Sequence, residues 1–266
     1  MKSTPAIVAA LLLASSALAD TAILVALPPE QSALGREIKI VGQPVELAGH
    51  KISIGYRKGE KLYIVRTGAG NLNSAMATQA LLTRYKIDRV ISIGVAGNLN
   101  DHSKPGDLFI ATNVVSHQEG KETPGGFDPR KEPESKSPNS TDYWTKCAAL
   151  QNNAFDTACS ILTNSTVRQG RLVSGDSFIA SSAKRQWLRV TFQADAVDMV
   201  SIGIARVCEA NAVPYVIIRA LSDNADESAS AAFATFIQNS KDPIPVPIAL
   251  ALVDHAAAAK PSPPPN

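Results

Sequence analysis

Val213-Pro214-Tyr215-Val216-Ile217-Ile218-Arg219-Ala220-Leu221-Ser222-Asp223 is the stretch from which the fold is read. From Pro214 to Ala220 it is a short, mostly apolar run, the pattern of a strand buried inside a sheet. Such strands are covered by helices, and a composition rich in Ala, Val and Ile with only 5% aromatic residues fits helices packed on a buried sheet better than an all-β sandwich. The run delivers Leu221-Ser222-Asp223, a carboxylate just past the strand, where apolar surroundings raise a pKa enough for general-acid work. The same aspartate would equally serve as the N-cap of a following helix.

Outward from this stretch the chain alternates strands and helices. Ala22 to Leu27 reads as a buried strand entering, through Pro28-Pro29, a loop that carries Glu30. Val45 to Leu47, Lys51 to Tyr56 and Leu62 to Arg66 form hairpin-like strands around Gly49 and Gly59. Asn71 to Tyr85 places Leu72, Ala75, Met76 and Ala80 on one helical face. Arg89 to Val95 is a strand ending in Gly94-Val95-Ala96-Gly97, and Asp107 to Val115 is another. Ser116 to Thr141 is polar and rich in Pro, Gly and Lys, too long for an ordinary connection, and reads as a functional flap or a disordered excursion. A helical region from about Tyr143 to Leu162, a strand near Arg171, a strand from Ala196 to Val200, a helix from Ser201 to Asn211, and a helix near Ala231 to Asn239 followed by an apolar stretch complete one domain over residues 20–259.

The 266 residues are 45% hydrophobic and 19% charged, an ordinary globular mixture that excludes disordered, collagen-like and polytopic membrane classes. A net charge of +2 without a dense basic run argues against nucleic acid as a partner. Residues 1–19 read as a signal peptide: Lys2 precedes an apolar stretch from Ala6 to about Ala14, then Ala17-Leu18-Ala19 supplies the small-x-small cleavage pattern. The stretch is short of the roughly 20 residues of a spanning helix, so the mature chain is expected to be secreted or periplasmic and free of the membrane. Residues 260–266 form a proline-rich tail. In an oxidising compartment Cys147 and Cys159 are the favoured disulfide pair, which requires a helix break near Gln151 to Ala154, whereas Cys208 lies in an apolar helical pattern as an inert core residue. No HExxH, CxxC or histidine cluster suggests a metal, and Val173-Ser174-Gly175-Asp176 is not the G-x-S-x-G of an acyl-transfer elbow.

Seven segments recur in a telling order: Ala22 to Leu27 through Glu30; Thr67-Gly68-Ala69-Gly70-Asn71; Ile93-Gly94-Val95-Ala96-Gly97; Pro105-Gly106-Asp107; Val173 to Ile179; Ala196-Val197-Asp198-Met199; and Val213 to Asp223. One glycine turn matches by chance easily, but an ordered set does not. The set resembles the purine nucleoside phosphorylase and nucleosidase superfamily, and within it the 5′-methylthioadenosine/S-adenosylhomocysteine nucleosidases, over about residues 21–240. The resemblance implies a three-layer α/β sandwich with a central mixed, twisted sheet flanked by helices, a purine nucleoside as small-molecule substrate, no cofactor or metal, and a homodimer.

Residue by residue, the resemblance makes Asp223 the general acid on the purine N7 and Glu30 the carboxylate that activates water. It makes Phe178 the ring stacking on the base, Ile179 the backbone partner of the base, Met199 a wall of the ribose site and Ser222 the residue positioning Asp223, with Gly68 in the turn beside the substrate. Phosphorolytic members place an arginine where this chain has Ser92, with Arg66 the nearby replacement, so hydrolysis is expected over phosphorolysis. The nucleosidases follow the matched methionine with a glutamate gripping the ribose hydroxyls; here stands Val200, a loss of about 2 to 3 kcal/mol unless replaced. Asp198, two positions earlier and on the same side if the segment is extended, either substitutes in part or simply matches the acidic residue that the family already has there and leaves the place unfilled. Two functions follow: an exported purine nucleoside N-ribohydrolase, or a catalytically weakened nucleoside-binding or storage relative, with a phosphate-dependent phosphorylase as the variant of the first.

Overall fold

β1 (Thr21–Val25) sets the architecture, because its side chains alternate between two cores. Ala22 and Leu24 point into one apolar cluster, Ile23 and Val25 into another, as the period of two in a fully buried strand requires. The computed structural model describes residues 20–129, 142–144, 148–163, 165–239 and 245–258. The expected signal peptide, the proline-rich tail and Cys147 lie outside these residues.

In chain order β1 is followed by α1 (Pro28–Glu37), the strands β2 (Lys39–Leu47), β3 (His50–Arg57) and β4 (Glu60–Arg66), α2 (Asn71–Arg84), β5 (Arg89–Asn98) and β6 (Leu108–Ser116). The hairpin β7 (Gly120–Thr123) and β8 (Gly126–Pro129), then β9 (Asp142–Trp144), α3 (Ala148–Ile161), β10 (Val167–Ser174), α4 (Ser182–Phe192) and β11 (Ala196–Asp198) come next. α5 (Ser201–Ala210), β12 (Tyr215–Asp223), α6 (Ala229–Asn239) and α7 (Pro245–Ala258) close the chain. The mixed ten-stranded sheet runs β11-β10-β6-β12-β5-β1-β4-β3-β2, with β9 paired to β6. β11 also pairs antiparallel with β5 through Val197 and Gly97, so one half of the sheet curls into a closed ring.

α2 and α5 cover one face with Ala77, Leu81, Ile202, Ala205 and Cys208. α1, α3 and α7 cover the other with Leu34, Ala154, Ala158, Ile248 and Val253. This is the expected helix-flanked α/β sandwich. Burial pushes the Cys208 thiol far up, consistent with an inert core residue. Among the described helices none is long and apolar enough to cross a membrane.

Three local expectations are corrected and a fourth gains detail. Glu30 sits in the first turn of α1, not in a loop, because Pro28 and Pro29 occupy the first helical positions, where proline's fixed φ and missing N–H are tolerated. β5 does not stop at a glycine turn: it continues to Asn98, since residues 97 and 98 gain β11 as a partner. α3 runs unbroken through Gln151 to Ala154, so the break required for the Cys147–Cys159 bond is absent, and Cys159 is a free, exposed thiol. The described part of the flap contains the β7–β8 hairpin; residues 130–141 lie outside the description.

Candidate active site

β12 carries Asp223 to its place. The strand runs parallel to β5 from Tyr215, and its register slips between Leu221 and Asp223, a bulge that re-aims the end of the strand toward a cleft. Ser222 Oγ donates to Asp223 Oδ2 at 2.7 Å, and the Ala225 N–H donates to Oδ1 at 2.9 Å. Both bonds favour the anion, yet burial outweighs them and holds the carboxyl above the usual range, with the charge of Asp226 adding to the rise. Gly97 lies against this carboxylate: a Cβ there would stand 3.1 Å from Asp223 Oδ1. The aspartate is therefore more than a helix cap; it is a buried carboxyl, held above its usual range, at a cavity wall.

The cavity, about 630 Å³ with its open mouth, is lined by Ala26 and Leu27 at the end of β1, by Val95 to Gly97, and by Val197 to Val200. Ser222 and Asp223 line it from β12, and Phe178, Ile179 and Phe233 line the rest. Phe178 is about half exposed and meets Phe233 edge to face at 5.7 Å, giving the mouth an aromatic slot suited to a flat heterocycle. Phe233, on α6, was not singled out by the sequence, because an aromatic in an apolar helix reads as core.

Glu30 is 2% exposed and accepts from the Leu27 N–H at 2.9 Å. Burial raises its pKa to about 7, against the lowering effects of the Leu27 bond and of the Arg219 charge. It stands just behind the β1 end of the cavity, whereas Asp223 hangs from β12. β5 lies between β1 and β12, whose ends are two strand spacings apart, roughly 10 Å; Glu30 itself is carried by α1 and reaches the cavity lining through its bond to Leu27.

Beneath the cavity lies Arg219, wholly buried and missed as a functional residue by the sequence. Its signal was present: one cation in an otherwise apolar strand. Nε donates to Asp198 Oδ2 at 2.9 Å, Nη1 donates to the carbonyls of Ser92 and Ile218, and Nη2 donates to the hydroxyls of Ser92 and Ser201. Ser92, at the position expected to distinguish phosphorolysis, thus holds an arginine brought from the next strand.

Two expected site residues are displaced. Asp198 lines the cavity, but its Oδ1 accepts from the Val200 and Ser201 N–H groups and its Oδ2 accepts from Arg219 and the Ser201 hydroxyl. The chain turns into α5 directly after it, so the extended geometry that would have aimed it at the sugar is lost, and it does not stand in for the missing glutamate. Of the glycine turn, Ala69 rather than Gly68 lines the cavity. The N–H of Asn71 at the start of α2 donates to Asp176 Oδ1. Ile179 and Met199 line the cavity as expected, and Arg66 is exposed. Among the described residues no cluster of His, Cys, Asp or Glu is arranged to hold a metal ion.

Comparison with known proteins agrees with this geometry. Residues 20–244 match the family model of the phosphorylase superfamily. The chain is 31% identical over 212 residues to a 5′-methylthioadenosine/S-adenosylhomocysteine nucleosidase of a Geobacillus species, covering 77% of this chain and 88% of that one. It is 27% identical over 201 residues to the aminodeoxyfutalosine nucleosidase of Helicobacter pylori, covering 74% and 83%. Among solved structures, the Helicobacter pylori methylthioadenosine/adenosylhomocysteine nucleosidase with butyl-thio-DADMe-Immucillin-A superposes with a TM-score of 0.78 at 26% identity, over 90% of this chain and 99% of that one.

Proposed function

Because the chain belongs to the phosphorylase superfamily, we propose that it is a purine nucleoside N-ribohydrolase of the methylthioadenosine, adenosylhomocysteine or aminodeoxyfutalosine type. Asp223 is its general acid and Glu30 the base that activates water. The pair of buried carboxylates carries this reading. Cleaving an N-glycosidic bond develops positive charge on the sugar and negative charge on the base, so it needs a proton donor at the base and a proton acceptor for water on the other side of the sugar. Burial holds the Asp223 carboxyl above the ordinary carboxylate range and raises Glu30 to about 7, within reach of proton exchange at neutral pH. Phe178 stacks the purine, Ser222 orients Asp223, and Arg219 sets the charge facing Glu30.

Water is the nucleophile in this reading because, among the described residues, no lysine or arginine lines the cavity, and a phosphate dianion needs charge-assisted donors. The chain is exported on the strength of Lys2, the Ala6 to Ala14 stretch and Ala17-Leu18-Ala19. It pairs as a homodimer through the exposed Leu72 and Met76 of α2, beside the cavity wall at Ala69; light scattering of the purified protein checks this, a monomer overturning it. The deciding experiment measures base release from methylthioadenosine, adenosylhomocysteine and aminodeoxyfutalosine with and without phosphate, for the protein and for Asp223→Asn. We expect phosphate-independent release that falls by about 10² to 10⁴ in the variant. Strict phosphate dependence overturns the choice of nucleophile. Binding without release favours the second reading, a nucleoside-binding relative, which Val200 supports.

A further inference from the structure

The floor of the cleft between the two carboxylates is apolar, and this bears on which sugar the site accepts; the inference rests on the nucleoside reading above. β11 pairs with β5 at Gly97, and β5 separates β12 from β1, so the segment after β11 lies across the gap between Asp223 and Glu30. Val197 and Asp198 of β11, and Met199 and Val200 after it, line the cavity. The polar side chains lining the cavity are committed. Both oxygens of Asp198 are taken by α5 and by Arg219. Ser222 donates to Asp223 and to the Ala96 carbonyl. Ser177 stands exposed at the mouth, its hydroxyl accepting from Gln118. Turning Asp198 toward a ligand would strip the wholly buried Arg219 of its ion pair, a change that leaves an uncompensated buried charge.

A ring hydroxyl placed against Val200 therefore loses its water and gains no acceptor, whereas a carbon-bound hydrogen in the same place loses nothing. We propose that this site selects nucleosides whose sugar lacks at least one ring hydroxyl, and that Val200 is the residue that sets the preference. The position of Val200 is fixed from behind: its carbonyl accepts from Ser74 Oγ at 2.8 Å, so the side chain is held at the cavity floor by α2.

The test uses carbon-linked analogues of adenosine, in which a C–C bond replaces the glycosidic bond, carrying ribose, 2′-deoxyribose or 3′-deoxyribose. Dissociation constants are read by calorimetry. Binding is preferred to rates because loss of the 2′-hydroxyl itself speeds glycosidic cleavage. A deoxy analogue is expected to bind on the order of tenfold more tightly than the ribose compound. Val200→Glu, and the uncharged Val200→Gln if the first does not fold, should reverse that order. Equal or tighter binding of the ribose analogue by the unaltered protein overturns the proposal, as does an order unchanged in a folded variant. Since the analogues cannot be cut, the two readings fail separately. A protein that releases no base yet prefers a deoxy analogue keeps this inference and loses the hydrolase reading; one that cuts ribonucleosides and prefers the ribose analogue does the reverse. Binding of none of them overturns this inference and leaves the hydrolase reading to the base-release measurement.

Discussion

Arg219 shows how one side chain ties the two halves of the site together. It is wholly buried, neutralises Asp198 at 2.9 Å and acts on Glu30 through its charge. Removing one partner of a buried pair leaves the other uncompensated, at a cost of about 3 to 5 kcal/mol. Arg219→Met should therefore lower the unfolding free energy by that amount in urea titration. It should also move the acid limb of the rate profile upward from about 7, because Glu30 loses the one positive charge that favours its anion. A limb that stays in place would show that Arg219 serves the fold alone. At this scale the sequence was informative where residue type was unusual and misleading where side-chain direction mattered. Asp223 stood out as a carboxylate ending an apolar strand. Asp198 was read as a sugar ligand from its two-residue spacing to Val200, a spacing that holds in a strand and fails where the chain turns into a helix.

Elements position that floor through one close crossing. A Cβ on Gly203 of α5 would lie 2.3 Å from the Asn71 carbonyl and 2.4 Å from Ser74 Oγ of α2, so only glycine allows the two helices to approach as they do. Ser74 bonds the Val200 carbonyl in the same place, and Asn71 Oδ1 accepts from Ser174 Oγ and from the Gly203 N–H. Gly203→Ala should cost about 1 to 3 kcal/mol of stability, read by thermal or urea unfolding, and should weaken nucleoside binding because the start of α5 carries Val200. Unchanged stability would mean that the crossing is looser than drawn. The main strands and α5 were legible from their apolar patterns, whereas α2 was found as a helix but on the wrong face: Leu72 and Met76 point outward, and Ser74, Ala77, Thr78 and Leu81 are the side chains it buries. α1 was hidden by two prolines that look like loop and act as a helix start, and α4 by a charged segment, Ser182–Phe192, whose buried side chains are few. The pairing of β11 with β5, which brings the floor over the gap, depends on contact between distant segments and leaves no local pattern.

For the whole molecule, burying titratable groups couples catalysis to stability. Glu30 moves from 4.5 unfolded to about 7 folded, so between these values the folded chain holds the extra proton and stability falls as pH rises, by roughly 3 kcal/mol. Asp223, also held up by burial, adds in the same direction. His117 does the opposite. It is 3% exposed, its Nε2 has no hydrogen-bond partner among the described residues, and burial depresses its pKa from 6.5 to about 4. There the unfolded chain binds the extra proton, so stability rises with pH across that window, by roughly 3 kcal/mol. The two windows overlap from 4.5 to 6.5, and the opposing slopes offset each other. The carboxylates held low, Asp101, Asp254 and Glu227, act at more acid pH and are common to every variant. Urea unfolding at fixed pH should thus give a nearly flat profile through this range for the unaltered protein. His117→Leu should leave the falling slope of Glu30, and Glu30→Gln the rising slope of His117. Parallel profiles for the two variants would refute the assignment of the offset to this pair. The expected divergence would show that the burial that holds the Glu30 carboxyl near 7 costs the fold stability at neutral pH, with His117 masking the cost.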